Sequence, residues 1–281
     1  MNWMQEFDKR GGIASTRQLR DAGATERALG RVVADGRLIR PRNGRYAKPG
    51  VFEAAIAAVR MGGRLSCVSA ARSYGLWGGM DARTHATVPP TAGRAGVEAG
   101  AVLHWRACRA HPEIWRVSVA DCLRSVVACA DEETSVAVLD TALSAGLVSI
   151  RDIERTFASE PQRARTIARR ARPGSDSGVE SILRQRLTAR GHLVEQQIAV
   201  PGAGRVDARV DGILYVEVDG FAFHSGREAF ERDRMRDAAL ALRGDRWLRV
   251  SARNLLSTPD SVVATIEAVL EREESGRARR G

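Results

Sequence analysis

The stretch that most constrains the fold is a pair of alternating runs in the last third of the chain. Arg205-Val206-Asp207-Ala208-Arg209-Val210 and Ile213-Leu214-Tyr215-Val216-Glu217-Val218-Asp219-Gly220 flank Asp211-Gly212. Period-two apolar patterning on both sides of an Asp-Gly pair predicts two antiparallel strands and a tight turn. Around them, Gly178 to Ala189 reads as a helix, with Val179, Ile182, Leu183 and Leu187 inward and Glu180 in its first turn. Leu193 to Val200 reads as extended, Arg227 to Leu242 as helix, Trp247 to Val250 as strand and Pro259 to Glu273 as helix. The predicted order is αβββαβα.

Asp207 and Glu217 lie ten apart on adjoining strands, and Asp219 shares a strand face with Glu217. Gathered carboxylates offer hard oxygen ligands for Mg²⁺ (or Mn²⁺), and such an ion activates water and stabilises charge on a phosphodiester. Without a cation, like charges this close destabilise the fold. Loop parity decides whether the site exists. A two-residue turn pairs Val210 with Ile213 and sends Asp207 and Glu217 to opposite faces; a three- or five-residue loop sets them opposite each other on one face.

The whole chain has 281 residues, enough for about two domains, and 44% of them are hydrophobic. It carries 44 basic against 34 acidic residues, net +10, with a pI near 10.5. That excess points to a polyanion, nucleic acid first. Lys occurs only at positions 9 and 48. Residues 1–50 carry net +6, 51–159 zero and 160–281 +4, so the basic excess sits at the two ends. Pro161 to Gly178, with Arg163, Arg165, Arg169, Arg170 and Arg172 before Pro173-Gly174-Ser175, reads as a basic linker. No apolar run approaches the roughly 20 residues of a membrane helix, and the start lacks the apolar core of a signal peptide. Cys67, Cys108, Cys122 and Cys129 form no C-x-x-C pair and no metal-like spacing with His, so they read as buried thiols of a reducing cytoplasm.

In residues 1–50, Trp3, Met4 and Phe7 give one helix an apolar face. Ser15 or Thr16 caps a second helix, and Thr25 caps a third with Ala28, Leu29, Val32 and Val33 inward. Strands at Leu38-Ile39-Arg40 and Arg45-Tyr46-Ala47 flank Asn43-Gly44. Three helices and a hairpin predict a winged helix-turn-helix. Arg27 and Arg31 share the outer face of its third helix and Arg42 and Arg45 sit at the hairpin tip, the positions that meet the major groove and the phosphates. The alternative is a solvated basic face on a protein-interaction module.

Residues 51–160 read as mixed α and β: helices at Phe52 to Met61, Ser69 to Tyr74, Val119 to Cys129, Glu132 to Ala145 and Ile150 to Phe157, with strands at Thr84–Val88 and Val102–Trp105. His85, His104 and His111 share no helical face and read as structural or surface residues.

Gly11-Gly12-Ile13-Ala14 through Gly44-Arg45-Tyr46-Ala47 resembles the N-terminal domain of AbiEi-type antitoxins, which implies DNA binding at a promoter. Leu65-Ser66-Cys67-Val68-Ser69-Ala70-Ala71 ahead of Gly75-Leu76-Trp77 resembles the part that follows in that family. Arg205-Val206-Asp207, Tyr215-Val216-Glu217-Val218-Asp219-Gly220 and His224 resemble the PD-(D/E)XK nucleases, above all the very-short-patch-repair (Vsr)-like endonuclease domains. Asp233, Arg236 and Trp247-Leu248-Arg249-Val250 extend that likeness. It implies that Asp207, Glu217 and Glu180 hold a metal, that Asp219 is a third carboxylate, and that His224 acts as acid or base or holds the phosphate. Arg236 would contact the phosphate or pair with Asp233 or Asp237. Asp219 stands where the superfamily usually has Lys, and Arg236 is the cation available in its place.

The expected architecture is thus an α+β or α/β multidomain chain. A winged helix-turn-helix (1–50) and a mixed connector or AbiEi-like middle (51–160) precede a linker (161–178) and a restriction-endonuclease-like αβββαβα domain (179–281). The expected function is a metal-dependent DNA endonuclease in repair or antiphage defence. The alternative is an AbiEi-like repressor or antitoxin with an inactive nuclease-fold tail. One active site per chain implies nicking, or a homodimer for double-strand breaks. A toxin, repair or defence protein is the further partner the resemblance suggests.

Overall fold

The computed structural model describes residues 3–92, 96, 98–202, 204–220 and 246–278, with side chains up to 272. Among these, twelve helices and three small sheets make a mixed α+β protein. The chain divides into two compact units, Met1–Val138 with Arg151–Arg169, and Leu139–Ile150 with Arg170–Gly281. No described helix is long and apolar enough to cross a membrane.

The first unit opens with α1 (Gln5–Lys9), β1 (Ile13–Ser15), α2 (Thr16–Asp21), α3 (Glu26–Ala34), β2 (Ile39–Arg42) and β3 (Arg45–Ala47). Ser15 and Gln18 form a reciprocal capping box at α2, and the Thr25 hydroxyl accepts the Ala28 N–H at α3. Gly44 at φ +74° closes the Asn-Gly turn. The strands form an antiparallel sheet in the order β1-β3-β2, over a core of Phe7, Leu19, Leu29 and Leu38.

The chain continues through α4 (Glu53–Arg60), β4 (Arg64–Leu65), α5 (Cys67–Ser73), β5 (His85–Val88), β6 (Val102–Trp105) and α6 (Val119–Cys129). These strands form a second sheet, β4-β5-β6, with β5 and β6 parallel. The first fifty residues and the middle share one unit: Ile13 and Ala47 pack in a core with Ile56, Leu65 and Trp115, and the Trp115 indole donates to the Arg10 carbonyl.

The division between units falls within α7 (Glu132–Ser144); α8 (Ile150–Phe157) and α9 (Gln162–Arg169) follow. The Arg-rich stretch expected to be a linker therefore holds a helix, whose Ile167 and Ala168 are buried. Arg is a good helix former, and a polar segment with one apolar edge needs little more to pack.

The second unit contains α10 (Gly178–Ala189), β7 (Val194–Val200), β8 (Gly204–Val210), β9 (Leu214–Asp219), β10 (Arg246–Ser251), α11 (Ala252–Ser257) and α12 (Pro259–Ala278). Its sheet runs β10-β9-β8-β7, antiparallel except for the β10–β9 pair. The helix expected at 227–242 lies outside the described residues.

Candidate functional site

The turn between β8 and β9 sets the geometry of the expected carboxylate site. Asp211 and Gly212 have φ of +52° and +67°, and the Ile213 N–H donates to the Val210 carbonyl, as in a primed hairpin turn. The strands nevertheless pair Val210 with Leu214, so Ile213 is an added third loop residue. Asp211 fixes this shape: its carboxylate accepts the Leu193 N–H at 2.8 Å and faces His192 Nδ1 at 2.7 Å. The odd loop pairs Ala208 with Val216, and Asp207 and Glu217 are the next residue on each strand beyond that pair.

Asp207 Oδ2 accepts the Val218 N–H at 2.8 Å. Glu217 is 6% exposed, and its Oε2 accepts from Arg249 Nη2 at 3.1 Å. Arg249 Nε lies 3.5 Å from the exposed Asp219 carboxylate. Arg249 sits on β10 directly beside Glu217 in the parallel register. The carboxylates therefore do not stand uncompensated, as like-charge repulsion alone suggested. Sequence reading missed Arg249 in this role. The signal was period-two alternation on β10, but it becomes usable only once β10 is known to lie beside β9.

Glu180 is buried in the first turn of α10, where Ser177 caps the helix. Its Oε2 accepts the Asp176 N–H at 3.0 Å and Gln197 Nε2 at 2.8 Å. Gln197, at φ +53°, lies between the register pairs that bracket Asp207, so Glu180 reaches this row of side chains through Gln197. His224 and Arg236 lie outside the described residues.

Of the expected DNA-binding residues, Arg27 and Arg31 are exposed on α3. Arg42 is exposed as well and donates to the Arg60 carbonyl at 3.0 Å, while Arg45 is half-buried and donates to the Gly44 carbonyl. With Arg64 and Arg106 they line a cavity of about 460 Å³, and none of the described residues lining it is acidic. Burial, then the charges of Arg64 and Arg42, lower the Arg45 pKa below its ordinary value.

Among the described residues, three or more His, Cys, Asp or Glu ligand atoms come within 4.8 Å of one another at one place: Cys67, His85, His104 and Cys129. The carboxylate row does not meet that distance. His85 Nδ1 is 3.4 Å from His104 Nε2 and 3.9 Å from Cys129 Sγ, while His85 Nε2 faces Asp81 Oδ2 at 3.1 Å. Burial pushes His104 down to about 4, and His85 lies below its ordinary value for the same first reason. Burial also raises the Cys67 thiol, with Cys129 adding to it. The cysteines read as uniformly buried thiols differ in the structure: Cys67 and Cys122 are buried, Cys108 is half-buried and Cys129 exposed.

What these features define is an α+β chain of two units, one with a carboxylate row and the other with a Cys/His cluster. Compared with known proteins, the chain matches no family model and has no significant match among curated proteins.

Proposed function

We propose that the protein is a metal-dependent DNA endonuclease whose N-terminal region is a DNA-binding winged helix. The observation that carries this reading is the three-residue turn at 211–213, whose register makes Asp207 and Glu217 the next residues beyond the Ala208–Val216 pair and gives them the parity of one sheet face. Carboxylate oxygens are hard donors and suit Mg²⁺ or Mn²⁺. Asp207 and Glu217 would hold the ion, with Glu180 completing the set. When bound, it would activate water and stabilise charge on the phosphodiester. Arg249 supplies the cation beside Glu217 that Lys supplies in the usual motif, and it balances the carboxylates. The element order from α10 to β10 and the parallel β10–β9 edge support a nuclease-like sheet.

For the DNA-binding part, the order α1-β1-α2-α3-β2-β3 with strands β1-β3-β2 supports a winged helix. Arg27 and Arg31 on α3, and the four arginines around the hairpin cavity, offer guanidinium groups to phosphates.

A second reading is favoured by Arg249 itself. A carboxylate row neutralised by an internal arginine needs no metal, which suits a DNA-binding regulator with an inactive tail.

Cutting of supercoiled plasmid and single-stranded DNA, with Mg²⁺, Mn²⁺ or chelator, separates the two. Under the nuclease reading, Asp207→Ala and Glu217→Ala each lower cutting by about 100-fold or more, with DNA affinity unchanged. DNA binding without metal-dependent cutting by the unaltered protein would leave the regulator.

A further inference from the structure

Cys67, His85, His104 and Cys129 come from four elements, the start of α5, β5, β6 and the end of α6, all in the first unit. No pair of them has a local spacing that chain geometry would bring together unaided. We propose that they form a structural Zn²⁺ site, independent of the nuclease reading.

Three observations lead there. First, the spacing suits the ion. With Zn–N near 2.0–2.1 Å and Zn–S near 2.3 Å, a tetrahedron has N–N edges of about 3.4 Å and N–S edges of about 3.6 Å. The two imidazole nitrogens are 3.4 Å apart, and Cys129 Sγ to His85 Nδ1 is 3.9 Å. Second, the surroundings match those of metal-bound histidines. Asp81 faces His85 Nε2 and is itself gripped by Arg83 through Nε and Nη2. A carboxylate on one ring nitrogen keeps the proton there and presents the other nitrogen's lone pair to the cluster. Third, Cys67 sits at φ +51°, a left-handed conformation that costs free energy in a residue with a Cβ. The strain is held where the thiol joins the other three ligands.

Donor type selects the metal. Two thiolates and two imidazoles in a tetrahedral set suit Zn²⁺ rather than Mg²⁺ or Ca²⁺, which take oxygen. Four protein ligands leave no open position, so the ion's role is structural. On binding, each cysteine thiol loses its proton to solvent and two S–Zn bonds form, so affinity rises with pH. The exposed Cys129 gives the ion a way in from the surface. Bound there, it would clamp the β5–β6 pair to α5 and α6.

The test is the metal content of the full chain, purified from zinc-supplemented cells and measured by mass spectrometry. About one Zn per chain is expected, falling to near zero in Cys129→Ser and in His104→Gln. It should be unchanged in Cys108→Ser, outside the cluster, and in Asp207→Ala, in the carboxylate row. Because a variant can fail to fold, the unaltered protein is also loaded with Co²⁺. Tetrahedral d–d bands with thiolate-to-cobalt charge transfer are expected. Zn well below one per chain together with an octahedral Co²⁺ spectrum would overturn the site, as would full Zn content in both ligand variants.

Discussion

Asp140, on α7, is fully buried and accepts three hydrogen bonds: from the Arg172 N–H at 2.7 Å, the Ser181 hydroxyl at 2.6 Å and Arg184 Nη2 at 2.7 Å. Removing one partner of a buried ion pair leaves the other uncompensated, at a cost of about 3–5 kcal/mol. Asp140→Ala should destabilise the protein by that much in urea unfolding, and Asp140→Asn, which keeps hydrogen-bonding capacity, by less. At this scale the sequence shows which side chains are chemically distinctive, not what surrounds them. Asp207 and Glu217 were legible as candidate ligands because two carboxylates on adjoining strands are chemically distinctive. That Arg249 balances Glu217, or that Arg42 and Arg45 line a cavity with Arg64 and Arg106, depends on elements far apart in the chain.

The helices with strong ends were the most legible elements. Val119–Cys129, Ile150–Phe157 and Gly178–Ala189 begin and end where the sequence reading places them. The turn at Asp211 was legible in type but not in length. Asp-Gly specifies positive φ at both positions, and nothing local says whether Ile213 joins the loop or the strand. That choice is made by His192 and the Leu193 N–H, which hold the Asp211 carboxylate from another part of the sheet. Asp211→Ala should therefore destabilise the protein by about 0.5–1.5 kcal/mol in chemical denaturation, by removing those hydrogen bonds. Asp211→Asn, which tolerates left-handed φ and still accepts hydrogen bonds, should recover part of that loss. The basic run at 161–178 misled for the opposite reason: its charge concealed the narrow apolar edge, Ile167 and Ala168, that makes α9 a packed helix.

For the molecule as a whole, net +10 sets the expected partner, and the salt dependence of DNA binding is its measure. Each phosphate contact contributes roughly 0.9 to the slope of log affinity against log salt. Arg27→Ala with Arg31→Ala should weaken binding and flatten that slope by about 2 in titrations across salt concentrations. Binding that is unchanged would make the N-terminal region a protein-interaction module. The Cys/His cluster belongs to this scale too. Its four ligands are spread from position 67 to 129 without a recurring interval, so only the assembled fold brings them within reach of one ion. The path of the chain has an evolutionary consequence. It enters the second unit at Leu139, leaves after Ile150 and returns at Arg170. A single recombination breakpoint, wherever it falls, cannot exchange one unit and leave the other whole; an intact exchange takes three.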